Sequence, residues 1–222
     1  MDPWFESFAR TSFRRSSDTA HDLKTPLNVA VLNLELLRMR IAKLGSAGDD
    51  EKIAGYMKAI EAELRRMAQI FDTFFLLSTP PKEDEPAEEV DVCALCCDAG
   101  EKAGFEISPN GTAPMHVHSS RIRQAFKMFF EGASKVMKPE GRRASAATGG
   151  QRFEVAVSGE PLGEEDFEVT KLFKFYYTDP LGNPDLSLAA ARLITETYGG
   201  ELNASVERDK VILRLAFPLG DR

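Results

Sequence analysis

Two runs of apolar residues, each stepping alternately by four and three positions, organise the first third of the chain. The first is Leu23, Leu27, Ala30, Leu34, Leu37, Ile41 and Leu44, and the second is Ile53, Met57, Ile60, Leu64, Met67, Phe71 and Phe74. That spacing places side chains on one stripe of an α-helix, so each run predicts a helix built to pack along its length. Asp2-Pro3 suits a helix start, because Asp can cap free amides and Pro is tolerated in the first turn. The first helix is predicted from near residue 3 to Leu44. Gly45-Ser46-Ala47-Gly48-Asp49-Asp50 supplies a turn and a capping residue, and the second helix is predicted from about Asp50 to Ser78. Two matched seams joined by a short turn predict an antiparallel hairpin. One hairpin cannot bury both seams together with Phe75, Leu76 and Leu77. Burial of each such side chain is worth roughly 1.5–3 kcal/mol, so a second copy is expected, completing a dimeric four-helix bundle.

The pattern changes at Thr79-Pro80-Pro81-Lys82-Glu83-Asp84-Glu85-Pro86, which is Pro-rich and charged and marks a boundary. The expected organisation is a helical hairpin over residues 1–79, a linker over 80–88 and a mixed helix-and-strand domain over 89–222. In that last part Val90–Lys102 predicts a helix, and Phe105–Ile107 and Met115–Val117 predict short strands. Ser120–Met137 predicts a helix with Ile122, Phe126, Phe129, Phe130 and Ala133 on one side. Gly141–Gly150, with Arg142 and Arg143, reads as a mobile solvated loop rather than an anion site. Phe153–Val157 alternates like a strand. Leu186–Tyr198 predicts a helix closed by Gly199-Gly200, and Ala204–Val206 with Val211–Phe217 predicts a hairpin turning at Arg208-Asp209.

Composition adds limits. Hydrophobic residues make up 43% of the 222 positions, enough for real cores. No apolar run approaches the ~20 residues that span a bilayer, and no signal peptide opens the chain, so a cytoplasmic protein without membrane contact is expected. The net charge of −7 is concentrated: residues 1–80 hold 11 basic and 11 acidic side chains, whereas residues 82–91 hold six acidic groups against one Lys. No basic stripe exists, which argues against nucleic-acid binding. Cys93, Cys96 and Cys97, with His116 and His118 downstream, contain donors that zinc accepts. Their place in a predicted helix favours small core residues instead, so no metal is expected.

The candidate chemistry lies in the first helix. His21 falls one residue off the apolar seam, and Thr25 and Asn28 follow at i+4 and i+7, so the three share one polar face. A neutral imidazole is a nucleophile near neutral pH, and covalent catalysis by histidine divides one phosphoryl transfer into two. The run His21-Asp22-Leu23-Lys24-Thr25-Pro26-Leu27 resembles the phosphoacceptor box of bacterial sensor histidine kinases, with His21 in the phosphorylated position. The resemblance implies that Asp22 supports the ring and its developing charge, and that Thr25 helps orient water in phosphatase reactions. Pro26 cannot donate an i→i−4 bond and should bend the helix after the reactive turn. In this family the hairpin is the dimerisation domain, and the order of elements beyond it resembles the ATP-binding domain, an α/β sandwich with helices on one face of a mixed sheet. The usual sensor kinase carries a sensory region before this box. Only about twenty residues precede His21, so sensing through an N-terminal domain is not expected.

The resemblance fails at the nucleotide site. The family uses an Asn in the long helix for magnesium, an Asp-x-Gly-x-Gly turn for adenine and a Gly-x-Gly-Leu-Gly loop against the phosphates. Here Gly132 stands for the Asn, Ser158-Gly159-Glu160-Pro161-Leu162 for the adenine turn, and Asn183-Pro184-Asp185-Leu186-Ser187-Leu188 for the phosphate loop. Asp185 would repel a triphosphate, and Pro184 removes an amide. Leu172-Phe173-Lys174-Phe175-Tyr176 resembles the family's Phe-containing segment, so the fold is expected to persist without the chemistry. The expectation is a histidine phosphotransferase that carries phosphoryl on His21 between receiver-domain aspartates of response regulators, with Asp22 and Thr25 assisting and Lys24 and Asn28 on the docking face. This chain would bind no cofactor, and Mg²⁺ would come with the partner receiver. The alternatives are an ATP-dependent sensor-type kinase core and a non-catalytic dimeric scaffold that regulates response regulators.

Overall fold

The computed structural model describes residues 27–28, 30–39, 41–42, 50–78, 86–107, 110–163, 168–174, 177, 179–182 and 185–220. The chain divides into two compact units, Met1–Pro80 and Pro81–Arg222.

In the first unit residues 27–28, 30–39 and 41–42 are helical, and helix α1 spans Asp50–Ser78, the bounds that the seam and the Asp50 capping position predict. Arg38 reaches the second helix, with Nη1 3.7 Å from Glu61 Oε2, while Arg65 donates to the same carboxylate at 2.6 Å. Each apolar seam splits into two rows seven residues apart. Leu27, Leu34 and Ile41 are half-buried, as are Leu64 and Phe71 of the other seam, where Met57 is 7% exposed. The other rows are open: Ala30 is exposed, Leu37 is 50% exposed, and Ile53, Ile60 and Met67 are exposed as well. Among the described residues no helix is long and apolar enough to cross a membrane. The first helix's predicted start at Asp2-Pro3, the bend at Pro26 and the turn near Gly45 lie outside the described residues.

The second unit runs β1 (Glu88–Asp91), α2 (Val92–Lys102), β2 (Pro114–Val117), α3 (Ser119–Val136), β3 (Arg143–Gly149), β4 (Arg152–Gly159), a 3₁₀ turn (Val169–Phe173), α4 (Ser187–Thr197), β5 (Glu201–Glu207) and β6 (Lys210–Pro218). β1 and β2 form a two-stranded antiparallel ladder, and the larger sheet has the order β3-β4-β6-β5. Every pairing among the described strands is antiparallel, which corrects the mixed sheet expected. β4 and β6 alternate as a half-buried sheet requires, sending Phe153, Val155, Val157, Val211, Leu213, Leu215 and Phe217 to the core. The α3 residues singled out by periodicity, Ile122, Phe126, Phe129, Phe130 and Ala133, are all fully buried. Phe126 meets Phe153 and Phe217 edge-on, with centroids 6.1 and 5.9 Å apart.

Three local expectations are corrected. Val90 belongs to β1, not to a helix. Asp91 ends that strand and caps α2, its Oδ1 accepting from the Cys93 amide at 3.0 Å and the Ala113 amide at 2.9 Å. Phe105–Ile107 pairs with no strand among the described residues. Phe105 is instead held by its ring, 5.3 Å from that of Phe130, with the Arg142 guanidinium 5.5 Å above its centroid. The segment expected as a mobile loop contains β3, whose seven residues pair in register with β4 from Arg143↔Ser158 to Gly149↔Arg152. The hairpin at Arg208-Asp209 is as expected: both residues have positive φ, at 50° and 64°, the conformation of a two-residue type I′ turn.

Candidate functional site

Of the residues the sequence assigns to the reactive face, His21, Asp22, Lys24 and Thr25 lie outside the described residues, and Asn28 is helical and exposed. The helix also carries residues that the seam passed over. Leu32, Leu36 and Met39 are 57%, 46% and 51% exposed. They follow Asn28 at steps of four, four and three, so they continue its side of the helix as an apolar stripe. This spacing was present in the sequence, but the stronger 23–44 seam masked it.

The second unit brings together the three places where the sequence departs from the family's nucleotide-site pattern. Gly132 lies in α3 where the N-terminus of α4 crosses it. A Cβ on Gly132 would meet Leu188 Cδ2 at 2.9 Å, so only glycine permits the approach. Leu188 is itself buried, at 2% exposure, and stands beside the position where the family's Asn is expected. The residues replacing the adenine turn are stitched to the end of α3. Lys138 donates its amide to the Glu160 carbonyl at 2.8 Å, Leu162 donates to the Val136 carbonyl at 2.9 Å, and Met137 bridges to Pro161. Gly159 packs on Met137, where an added Cβ would lie 3.2 Å from its Cβ. The phosphate loop's substitute, Asp185, is buried and paired with Lys135 Nζ at 2.9 Å. Burial pushes the Tyr177 phenol up to about 12, and the nearby Asp185 and Asp179 carboxylates push in the same direction.

Arg142, expected as half of a solvated pair, is instead committed to the end of α3. Its Nη2 donates to the Ser134 carbonyl at 2.8 Å and the Met137 carbonyl at 2.6 Å, and its Nε donates to the Lys138 carbonyl at 2.9 Å. A guanidinium there satisfies carbonyls that a helix C-terminus leaves unpaired. Burial holds its pKa below the usual arginine value. Cys93 and Cys96 are buried in α2 and Cys97 is half-buried, all as free thiols, and burial raises each of them. His118 Nδ1 lies 3.0 Å from the Tyr198 hydroxyl. Among the described residues no group of three or more His, Cys, Asp or Glu side chains is placed to hold a metal ion.

Comparison with known proteins gives two findings and one negative result. Residues 14–82 match the His Kinase A (phospho-acceptor) domain. No curated protein matches the chain. Among solved structures, full-length ShkA in complex with AMPPNP aligns over 94% of this chain with a TM-score of 0.57 and 18% identity. The histidine kinase AdeS of Acinetobacter baumannii aligns over 90% with a TM-score of 0.55 and 18% identity. The chain spans 46% of the length of ShkA and 98% of that of AdeS. At such identity the likeness is one of fold, and it runs through both units.

Proposed function

We propose that this chain, a histidine kinase-like core of two-component signalling, acts as a histidine phosphotransferase. A lone pair on the His21 imidazole attacks the phosphorus of an aspartyl phosphate on a receiver domain. The P–O bond to the aspartate breaks, its carboxylate leaves, and a P–N bond forms on His21. The reverse step hands the phosphoryl group to a second receiver aspartate. Asp22 stabilises the charge that appears on the ring, and Thr25 assists. The receiver brings Mg²⁺ and the acidic pocket, so this chain contributes a positioned nucleophile and a surface. Lys24, Asn28 and the exposed stripe Leu32, Leu36 and Met39 form that surface, and two copies join through the open seam rows of the bundle.

The observation that carries this reading is the contact of Leu188 with Gly132. The position expected for a magnesium-binding Asn has no side chain, and a leucine stands beside it. A kinase that makes its own phosphohistidine needs ATP there, whereas a phosphotransferase does not. The test is to incubate the protein with a radiolabelled phosphorylated receiver and, separately, with radiolabelled ATP. Acid-labile label on wild type from the receiver, none from ATP, and none on His21→Ala is the expected result. The second reading, an ATP-dependent kinase core, is favoured by the fold likeness to ShkA, whose structure holds AMPPNP. Label passing from ATP to His21 would establish that reading and end the first.

A further inference from the structure

Helix α4 begins without a cap from its own flanking residue, since Leu186 makes no capping bond. The cap comes from one residue further back. Asp185 is 3% exposed, and its Oδ1 accepts from the Ser187 amide at 3.2 Å, the Ser187 hydroxyl at 2.7 Å and Lys135 Nζ at 2.9 Å. Lys135 Nζ also donates to Ser187 Oγ at 3.4 Å, and the Asp185 amide donates to the Tyr177 carbonyl at 3.2 Å. One carboxylate oxygen therefore ties the start of α4 to the last turn of α3, and the backbone amide of the same residue holds Tyr177. Helix-end amides with an ammonium beside them are a donor set that proteins use to hold a phosphate. Here the anion is part of the chain. Next to it, Leu188 packs so closely on Gly132 that an added Cβ would overlap it.

We propose that Asp185 is a built-in anion that latches α4 onto α3 in place of an external phosphate. The start of α4 then keeps its place on α3 whether or not nucleotide is present. This rests on the reading of the second unit as independent of nucleotide, and it supplies that reading with a cause. A tethered carboxylate acts at an effective concentration that free phosphate cannot match. Because Asp185 is buried, removing Lys135 takes the cation from a desolvated carboxylate, and removing the carboxylate takes the acceptor from the Ser187 amide.

Hydrogen exchange read by mass spectrometry on the full chain tests the latch, with Val169–Phe173 and Asp185–Leu188 as reporters and β4 and β6 as internal controls. Asp185→Asn and Lys135→Met should each lower protection in the reporters about tenfold, the scale of one lost charge-assisted hydrogen bond, and leave β4 and β6 unchanged. Inorganic pyrophosphate should restore protection to Asp185→Asn and leave wild type unaffected. Pyrophosphate that protects wild type as strongly as Asp185→Asn, or unchanged reporters in both variants, would overturn the proposal. Should Asp185→Asn not fold, Lys135→Met decides alone: its Nζ-bearing side chain is 42% exposed, and reporter protection equal to wild type would refute the latch. Transfer from a phosphorylated receiver to His21, measured on wild type in parallel, reports on the phosphotransfer reading separately. A protein latched as described yet unable to accept phosphoryl would sink that reading alone.

Discussion

A Cβ built on Gly132 of α3 would lie 2.6 Å from Leu188 Cγ and 3.2 Å from the Leu188 backbone nitrogen of α4. Backbone cannot yield as a flexible side-chain end can, so even alanine overpacks this crossing. Gly132→Ala gains about 1 kcal/mol in helix propensity but should still destabilise the second unit by about 1–3 kcal/mol. Gly132→Asn, which restores the residue type expected for magnesium, should cost more and create no Mg-ATP binding. Denaturant midpoints and calorimetry check both. A heat signal giving a micromolar Kd for Gly132→Asn would show that the position, not the surrounding packing, had been the obstacle.

Arg142 should behave as a structural cap rather than as a phosphate ligand. Arg142→Ala removes donors from three carbonyls at the end of α3 and the cation over Phe105, and a loss of about 1–3 kcal/mol is expected. Arg142→Lys should recover little, because a single ammonium cannot reproduce the planar fork. Urea unfolding followed by the near-ultraviolet signal of the aromatic core measures this. Equal stability of Arg142→Ala and wild type would return Arg142 to the surface.

The residues that sequence reading placed well are those whose pattern and environment agree. The seam of α1 and the run of phenylalanines in α3 need only a period and a core. β3 was missed because Arg143-Ala144-Ser145-Ala146-Ala147-Thr148-Gly149 has the composition of a loop, and its strand exists through pairing with β4. β1 was missed because Glu88-Glu89-Val90-Asp91 is charged and short, and only its ladder with β2 reveals it. At the second site the sequence showed a departure from the family's pattern, with no Asn at Gly132 and few glycines, but not what packs there. That Leu188 and Asp185 stand there depends on α4 meeting α3, a contact between residues fifty or more positions apart. Leu32, Leu36 and Met39 were legible by spacing alone, yet their exposure becomes visible only once the partner helix has covered the other face.

Tyr177 gives the second unit an alkaline signature. Its folded pKa stands at about 12 against an ordinary 10.0, raised by burial first and by Asp185 and Asp179 next. The folded state then holds the proton more tightly than the unfolded chain does. The contribution is present in full below pH 10 and is lost as pH rises from 10 through about 12. Tyr177→Phe has nothing to ionise, so its stability should fall less steeply over that window. Denaturant titrations of wild type and variant at several alkaline pH values give the two slopes, and parallel slopes would contradict the assignment.

The split of each bundle seam into a covered and an open row predicts that two single changes of the same kind will have different outcomes. Leu37, at 50% exposure, and Ile60, at 51%, lie on the open rows, while Met57, at 7%, lies inside the hairpin. Leu37→Asp or Ile60→Asp puts little charge into the hairpin itself, so helicity by circular dichroism should remain close to wild type. In a dimer built on those rows the same carboxylate would be buried unpaired in both copies. Such burial costs several kcal/mol, and about 3 kcal/mol already weakens association roughly a hundredfold. Sedimentation should therefore find wild type as a dimer at micromolar concentration and Leu37→Asp as a folded monomer. Met57→Asp should instead unfold the hairpin, because its side chain is buried within one copy. A wild type that sediments as a monomer, or a Leu37→Asp variant that remains dimeric, would mean that the open rows face water or another partner rather than a second copy.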